Sequence, residues 1–459
     1  SVLQCEGHED SQVFCRLQSL RFSNFLQESK EFEMAKWNWL KGLRCVAGVG
    51  ATLMASSMAV AGDASPIDNV ANPDHVFTQT AYNLAGEVCG AAGCGDAGCR
   101  TDGCSGLGNG CDMFGLRCDQ EEINIFDGVE VGGWTQFGYT SEQTLFNTAG
   151  EEEDFQLNQG WIYLEKAAVS ECGEWALGYR ADFVYGVDAP NTQSFGNGAG
   201  IQQFDTDNGF TRGAGFGWAI PQLYVEATNG DTTIKAGHFY TLHGYEVVTA
   251  PDNFFFTHAY SMNNSEPFTH TGVVVTQSVS DDMEIYAGWT AGWDTGFKQN
   301  DGGSNFLGGF STSLSDDLSF TYITSIGNFG AIGDGYASSA VLDWQINDRL
   351  NYVLHNDFLR ADRADNDVVA INQYLIYQVS DCVGVGGRAE WWKNDGTSVY
   401  ALTGVLNIKP HSQVTIRPEV KYDWSPGGQV AADGNLGINN GTINGSEETT
   451  FSIDVILTF

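Results

Sequence analysis

Residues Val414–Trp424 read VTIRPEVKYDW, and this stretch decides the fold class predicted for the chain. Apolar and aromatic residues occupy every second position, and threonine, arginine, glutamate, lysine and aspartate stand between them. This period of two places the two sets on opposite faces of a β-strand. The same alternation recurs in residues 175–185 and 283–293, so the predicted strand is one of a series.

Sixteen segments of this kind follow one another from residue 128 onward. They are predicted as strands at 128–140, 156–167, 175–186, 219–229, 232–241, 268–279, 283–294, 305–315, 318–327, 337–347, 349–359, 368–379, 383–392, 398–409, 413–424 and 449–459. Tight turns such as 229–231 alternate with longer Gly/Asn/Asp-rich loops such as 425–448. An even strand number with this sorting of loops is typical of bacterial outer-membrane barrels. We therefore predict an all-β fold class: a transmembrane antiparallel up-and-down β-barrel with a Cys/Gly-rich N-terminal extension.

The composition excludes two other classes of protein. The chain has 459 residues, with 21 Lys and Arg against 58 Asp and Glu, a formal net charge of -37. A nucleic-acid-binding protein needs a basic face, which so few cations do not supply, so no nucleic acid is expected as a partner. Aromatic residues reach 12%, whereas a disordered acidic chain would be poor in them. A well-ordered β protein remains.

The N-terminal part predicts export. Lys36, Lys41 and Arg44 precede a short apolar run at 45–60, and a small-x-small cleavage site follows at 59–61. The alternative is a retained anchor, although the run is shorter than a spanning helix needs. The predicted organisation is a mis-translated leader at 1–33, a signal peptide at 34–61, a Cys/Gly-rich periplasmic extension at 62–120 and the outer-membrane barrel at 121–459.

The extension contains a cluster of six cysteines. In an oxidising compartment an even number of clustered cysteines favours disulfides, although the pairing does not follow from the sequence. A metal site is the alternative, but no Cys-x-x-Cys pair or nearby histidine supports it. The extension either tethers the barrel on the periplasmic side or plugs the lumen. The disulfide candidates are Cys89, Cys94, Cys99, Cys104, Cys111 and Cys118.

The polar face of the strands is predicted to line a lumen. Lipid offers no hydrogen-bond partners, so a spanning sheet must close, and sixteen strands are too many for side chains to fill the interior. Strand 5 is the exception, because Lys235 and His238 are three residues apart and therefore lie on opposite faces of the strand. We expect one of them to lie at a rim of the barrel or against another subunit. The pore-lining candidates are Arg180, Asp182, Lys235, Glu284, Asp357, Arg388, Glu390, Arg417, Glu419, Lys421 and Asp423.

Aromatic residues cluster near the strand ends on the apolar face. Such rings at two heights are expected where hydrocarbon meets lipid headgroups. The alternative for each residue alone is a core position. The predicted girdles comprise Phe137, Tyr139, Phe183, Tyr185, Trp289, Trp293, Phe358, Trp391, Tyr422 and Trp424 toward the long loops, and Trp175, Trp344 and Phe459 toward the short turns.

Four stretches carry a resemblance to a known family: GGWTQFGY at 132–139, KAGHFY at 235–240, HGYE at 243–246 and the end at Phe459. Residues 128–459 resemble the OmpL-like β-barrel porin family, and the Cys/Gly-rich leader resembles that of its planctomycete members. The resemblance implies a bacterial outer-membrane location, a homotrimer, and a third long loop, 242–267, that folds into the lumen and narrows it.

This loop supplies the constriction candidates Tyr245, Glu246, Asp252 and Asn253. Glu246 and Asp252 are expected to face the wall arginines, and charged rings of this kind tune ion selectivity. The alternative is a loop that covers the barrel mouth or packs on a neighbouring subunit.

The predicted function is a water-filled channel for passive diffusion of small hydrophilic solutes and ions, with the lipid bilayer as the other partner. A barrel-anchored envelope structural or adhesion protein is the alternative. No enzyme activity is expected, because His258 and Ser261 lie in a loop and His355 faces inward without an obvious serine partner. No cofactor or metal centre is predicted beyond loosely bound Ca²⁺ in loops such as 360–367.

Overall fold

The computed structural model describes residues 128–142, 155–170, 173–194, 216–299, 301–363, 367–394, 397–425 and 447–459. The predicted leader, signal peptide, Cys/Gly-rich extension and six clustered cysteines lie outside the described residues. In the described ranges no helix is long and apolar enough to cross a membrane.

Antiparallel strands make up nearly all of the described chain. Their bounds are β1 Glu130–Thr140, β2 Phe155–Lys166, β3 Ala176–Gly186, β4 Gly217–Thr228, β5 Thr232–Tyr240, β6 Thr269–Ser280, β7 Met283–Trp293, β8 Ser304–Ser315, β9 Leu318–Asn328, β10 Asp334–Asn347, β11 Leu350–Ala361, β12 Asp367–Ser380, β13 Val383–Asn394, β14 Thr397–His411, β15 Val414–Trp424 and β16 Glu447–Thr458. Each strand pairs with its neighbours in the chain, and β1 pairs with β16. The prediction of a closed sixteen-stranded barrel is confirmed.

The barrel closes between its first and last strands. β1 pairs with β16 from Trp134 opposite Thr458 to Thr140 opposite Ser452. Two backbone hydrogen bonds extend this seam, from Gly133 N to Phe459 O at 3.0 Å and from Phe459 N to Gly133 O at 2.9 Å. The sheet therefore has no free edge, which is what a sheet surrounded by lipid requires.

The two faces of the wall differ as the alternation predicts. In β13, Arg388, Glu390 and Trp392 are buried inside the barrel, whereas Val385, at a position of the opposite parity, is 40% exposed on the outside. The outer wall is mostly apolar around its circumference. Its exposed large side chains include Leu177, Leu223, Val273, Ile285, Phe306, Ile326, Leu375, Leu402, Leu406 and Val420.

One predicted girdle residue lies in a different place. In the pairing of β6 with β7, Gly272 lies opposite Thr290 but His270 lies opposite Trp293, so the register shifts between these two pairs. This bulge reverses which face of the sheet the last residues of β7 occupy. Trp293 is consequently buried and stacks on Phe329, with ring centroids 4.5 Å apart. The assignment of Trp293 to the outer girdle was therefore wrong.

Strand β5 places its two polar residues on opposite faces. Lys235 is inside the barrel, and its Nζ lies 3.9 Å from Glu226. His238 pairs with the exposed Leu223 and so belongs to the outer face. It is nevertheless buried there, with Ser194 Oγ at 3.0 Å and Thr271 Oγ1 at 2.8 Å from its ring nitrogens. Ser194, in the connection between β3 and β4, and Thr271 of β6 therefore contact His238 from the same chain.

The loop between β13 and β14 is shorter than the predicted strand ends at 392 and 398 imply. β13 extends to Asn394 and β14 begins at Thr397, so only two residues connect them at the rim of the longer loops.

Helical turns are short: α1 covers Ala189–Thr192, a 3-10 turn covers Ala250–Asp252 and α2 covers Tyr260–Asn264. The last two belong to residues 241–268 between β5 and β6, here called the lumen loop.

Candidate functional site

The lumen loop lies inside the barrel. Its residues Phe254 and Phe255 pack on the inward-facing Val341, Val353 and Tyr374 of three wall strands. Burial of large aromatic side chains is strongly favourable, each removing about 150–250 Å² from water. The apolar run Phe254–Phe255–Phe256 therefore holds the loop against the wall.

A buried arginine of β13 joins the lumen loop to the wall. Arg388 Nη1 donates to Glu246 Oε1 at 2.8 Å and to Thr257 O at 2.6 Å, and its Nε donates to Glu390 Oε1 at 2.6 Å. Tyr374 OH donates to the same Glu246 oxygen at 3.1 Å. Charge-assisted hydrogen bonds of this kind are about twice as strong as neutral ones. Glu246 therefore anchors the loop.

A second buried arginine binds the loop backbone. Arg417 Nη1 in β15 donates to the carbonyl oxygens of Ala250, Asn253 and Phe255, at 3.1, 2.5 and 3.0 Å. The other side of its guanidinium pairs with Asp454 of β16, which lies 2.5 Å from Nη2. One guanidinium nitrogen thus binds three carbonyl groups of the loop, so Arg417 fixes the backbone path across the lumen.

Two wall carboxylates accept hydrogen bonds from the loop backbone. Glu419 of β15 accepts from the amides of Phe256 and Thr257 at 2.9 and 3.1 Å, and also from the Thr257 hydroxyl. Glu390 of β13 accepts from the amide of Tyr260 at 2.9 Å. The predicted pore-lining residues Arg388, Glu390, Arg417 and Glu419 thus contact the loop and are buried beneath it.

The other constriction candidates occupy different environments. Tyr245 packs on Tyr374, with ring centroids 4.7 Å apart. Asn253 bonds the loop's own backbone at Val247 and Thr249, which holds the turn at this point. Asp252 accepts a hydrogen bond from Thr249 Oγ1 at 2.5 Å and is exposed. Glu246 and Asp252 therefore differ: the first carboxylate is bound to Arg388 and the second faces water.

The remaining predicted wall residues form ion pairs and hydrogen bonds on the inner face. Arg180 Nη1 lies 2.9 Å from Glu165 Oε2, and Arg180 Nε lies 2.7 Å from Asp182 Oδ1. Lys421 lies 3.2 Å from Asp423, and its Nζ is 4.3 Å from the centre of the Tyr260 ring. Glu284 accepts a hydrogen bond from Tyr286 OH at 2.9 Å.

Small hydroxyl side chains line part of the inner wall toward the short turns. Ser311 and Ser313 of β8 pair with Thr321 and Ser319 of β9, and all four are partly or fully exposed. They belong to the same face as Ile323, which packs inside the barrel. The exposure of an inward-facing polar surface indicates space for water below the lumen loop.

The fold also assembles a group that the sequence did not reveal. Glu266 at the end of the lumen loop and His355 and Asp357 of β11 bring one ligand-type atom each within 4.8 Å of one another. Burial, followed by the charge of the nearby Asp357, raises the pKa of Glu266 well above its ordinary value. Glu266 is far from His355 and Asp357 in the sequence, and no short motif connects it to them.

His355 does have a serine neighbour, contrary to the expectation from sequence. Ser339 Oγ lies 3.1 Å from His355 Nε2, and Asp357 Oδ1 lies 2.9 Å from the same nitrogen. A catalytic triad needs the serine and the carboxylate on opposite nitrogens of the imidazole. The arrangement is therefore a polar cluster, not a proton relay.

Acid should weaken the attachment of the lumen loop. Burial raises the pKa of Glu246, but Arg388, His258 and the amide of Ala259 outweigh it and lower this pKa from 4.5 to about 2. A carboxyl group with a depressed folded-state pKa contributes stability above its unfolded pKa and loses it as the pH falls. Thermal unfolding of the wild type and Glu246→Gln should differ at pH 7, and the difference should shrink as the pH falls from 4.5 toward 2. A constant difference would contradict this role.

The fold and the inserted loop define a class of protein, the β-barrel porins. The family model described as "Putative beta-barrel porin-2, OmpL-like" matches residues 128–459, and the chain belongs to this family. The resemblance of residues 128–459 to this family, noted from the sequence, is confirmed.

Solved porin structures are among those similar to this chain. An anion-selective porin from Comamonas acidovorans is 10% identical with a TM-score of 0.49, over 72% of this chain and 99% of that chain. A triple mutant of the Rhodopseudomonas blastica porin is 13% identical with a TM-score of 0.46, over 72% and 100% of the two chains. No curated protein sequence matches this chain.

Proposed function

We propose that this protein is an outer-membrane porin in which small hydrophilic solutes and ions diffuse through a water-filled channel narrowed by the lumen loop. The observation that carries the proposal is the attachment of this loop to the opposite wall. Its anchors include Gln159 on β2, Ser325 on β9, Arg388 on β13 and Arg417 on β15. A loop held so firmly inside a closed barrel sets a fixed narrow point.

The apolar outer wall supports a lipid environment. Leu402 in β14 is 52% exposed on this wall, and a charge near the bilayer midplane costs about 2–4 kcal/mol in such barrels. Leu402→Arg should therefore lower the free energy of unfolding in lipid vesicles by about 2–4 kcal/mol. Gln413→Arg, in the exposed turn between β14 and β15, is the control and should cost about 0–1 kcal/mol. Equal effects at the two positions would argue against a lipid-facing wall.

Ion selectivity is proposed to depend on Asp252. This exposed carboxylate lies in the 3-10 turn of the lumen loop, so cations passing the narrow point meet its charge. Asp252→Asn should shift the reversal potential in a salt gradient toward a lower preference for cations. Asp316→Asn, on the exposed turn between β8 and β9, is the control and should change the reversal potential less. An unchanged potential in Asp252→Asn would remove Asp252 from the selectivity determinants.

A homotrimer is part of the proposal, and its support is the family resemblance alone. Light scattering of the detergent-solubilised protein measures the number of chains directly. A mass of one chain per particle would refute the trimer without affecting the channel.

A further inference from the structure

A compact ligand-type cluster joins the lumen loop to β11. His355 Nε2 lies 3.4 Å from Glu266 Oε1 and 2.9 Å from Asp357 Oδ1. Tetrahedral ligands about 2.1 Å from a zinc ion lie about 3.4 Å from one another. His355 therefore already lies at nearly the spacing from each carboxylate that a bound cation would impose, and all three ligand-type atoms lie within 4.8 Å of one another.

The two carboxylates of this cluster are incompletely satisfied. Glu266 and Asp357 are 8% and 1% exposed, and in their ionised forms Glu266 Oε1 and Asp357 Oδ2 accept no hydrogen bond within the described part of the chain. Buried unsatisfied carboxylate oxygens are costly, and buried charges are normally paired or bound to metal ions. The cluster therefore requires either a shared proton or a cation.

Asn372 of β12 provides a feature typical of metal-bound histidines. Its amide nitrogen lies 3.4 Å from His355 Nδ1, and its Oδ1 makes no hydrogen bond. A histidine that binds metal through Nε2 donates its Nδ1–H to a carbonyl or carboxylate oxygen. Rotation of the Asn372 amide by half a turn supplies this acceptor, and Oδ1 then also accepts from Ser261 Oγ, which is 2.6 Å from the present amide nitrogen.

An internal cavity borders the cluster at Glu266. It has a volume of about 60 Å³, and its lining includes Glu266, His243 and Glu246. This volume is enough for a few water molecules, so a cation can approach Glu266 from the interior of the barrel.

We propose that Glu266, His355 and Asp357 bind a divalent transition-metal cation that fastens the end of the lumen loop to β11. One imidazole nitrogen with two carboxylate oxygens suits Zn²⁺ or Co²⁺, whereas Ca²⁺ prefers six to eight oxygen ligands. The fourth position is open to water or to Ser339 Oγ, which lies 3.1 Å from His355 Nε2. The site does not depend on the channel function, because a barrel that fails to conduct can still bind the cation.

Metal titration of the purified full-length protein tests the proposal. The protein is first treated with a chelator and then titrated with Zn²⁺. Calorimetry and elemental analysis should show saturable binding of one ion at the cluster of Glu266, His355 and Asp357. Co²⁺ should give visible absorption bands distinct from those of the hydrated ion. Both measurements use the wild type, so they do not depend on whether a variant folds.

Variants then locate the site. Glu266→Gln and Asp357→Asn should abolish the saturable binding, and Asn372→Ala should weaken it about 10–100-fold, as expected for a residue that orients a ligand. His411→Gln, which removes an exposed histidine at the end of β14, is the matched control and should bind like the wild type. Absence of saturable binding to the wild type would show that the carboxylates share a proton, and binding unchanged in Glu266→Gln would place the metal elsewhere. Either result overturns the proposal.

Discussion

Replacement of Arg388 by methionine should lower the free energy of unfolding by about 3–5 kcal/mol, the usual cost of removing one partner from a buried ion pair. The substitution leaves the buried carboxylates of Glu246 and Glu390 without their guanidinium. It also removes the donor to the carbonyl oxygen of Thr257. Equilibrium denaturant unfolding in detergent, followed by tryptophan fluorescence, measures the change.

An exposed arginine supplies the control for this experiment. Arg360 in β11 has a side chain 72% exposed and pairs with Asp367 at 3.5 Å. Exposed ion pairs contribute about 0–1 kcal/mol, so Arg360→Met should have little effect. Addition of Glu246→Gln to Arg388→Met should recover part of the loss, because one uncompensated charge disappears. Equal costs for Arg388→Met and Arg360→Met would refute the anchoring role of Arg388.

Excision of the lumen loop should raise the single-channel conductance severalfold, because the loop and its aromatic side chains occupy the cross-section of the barrel. Tyr240 and Thr269 are direct partners across β5 and β6, so a short Gly/Ser linker can replace residues 242–267 without moving either strand. A barrel of sixteen strands without an inserted loop leaves a wide aqueous channel.

A linker of the original length is the control for the excision. A Gly/Ser segment of that length keeps the chain but lacks Glu246, the aromatic run and the backbone path bound by Arg417. It should give a conductance between those of the wild type and the short-linker variant, with larger current noise. An unchanged conductance in the short-linker variant would show that the loop does not set the narrow point.

The alternation of the sequence was sufficient to predict the strands. The predicted ends of all sixteen strands lie within three residues of the observed ends. The reason is that a period of two over 9–15 residues is compatible with few structures other than a strand. Trp293 was misplaced because one bulge reverses the parity of the residues that follow it, and the sequence does not mark the bulge.

The site was less accessible from the sequence. Parity placed Arg388 and Arg417 on the inner face, but a period of two does not say which loop segment they bind. Likewise, Glu266 and His355 meet only because the lumen loop ends beside β11. Contacts between a loop and a distant strand depend on the closed topology, which local sequence patterns do not encode.

The proposed channel runs through the barrel, is filled with water and is narrowed by the lumen loop. Recording of currents across a planar lipid bilayer containing the purified wild-type protein tests it most directly. Discrete, roughly ohmic current steps are expected in potassium chloride, each of which marks the insertion of a conducting barrel. A folded barrel that enters the bilayer, as shown by protease protection, and leaves the current at the baseline level would contradict it.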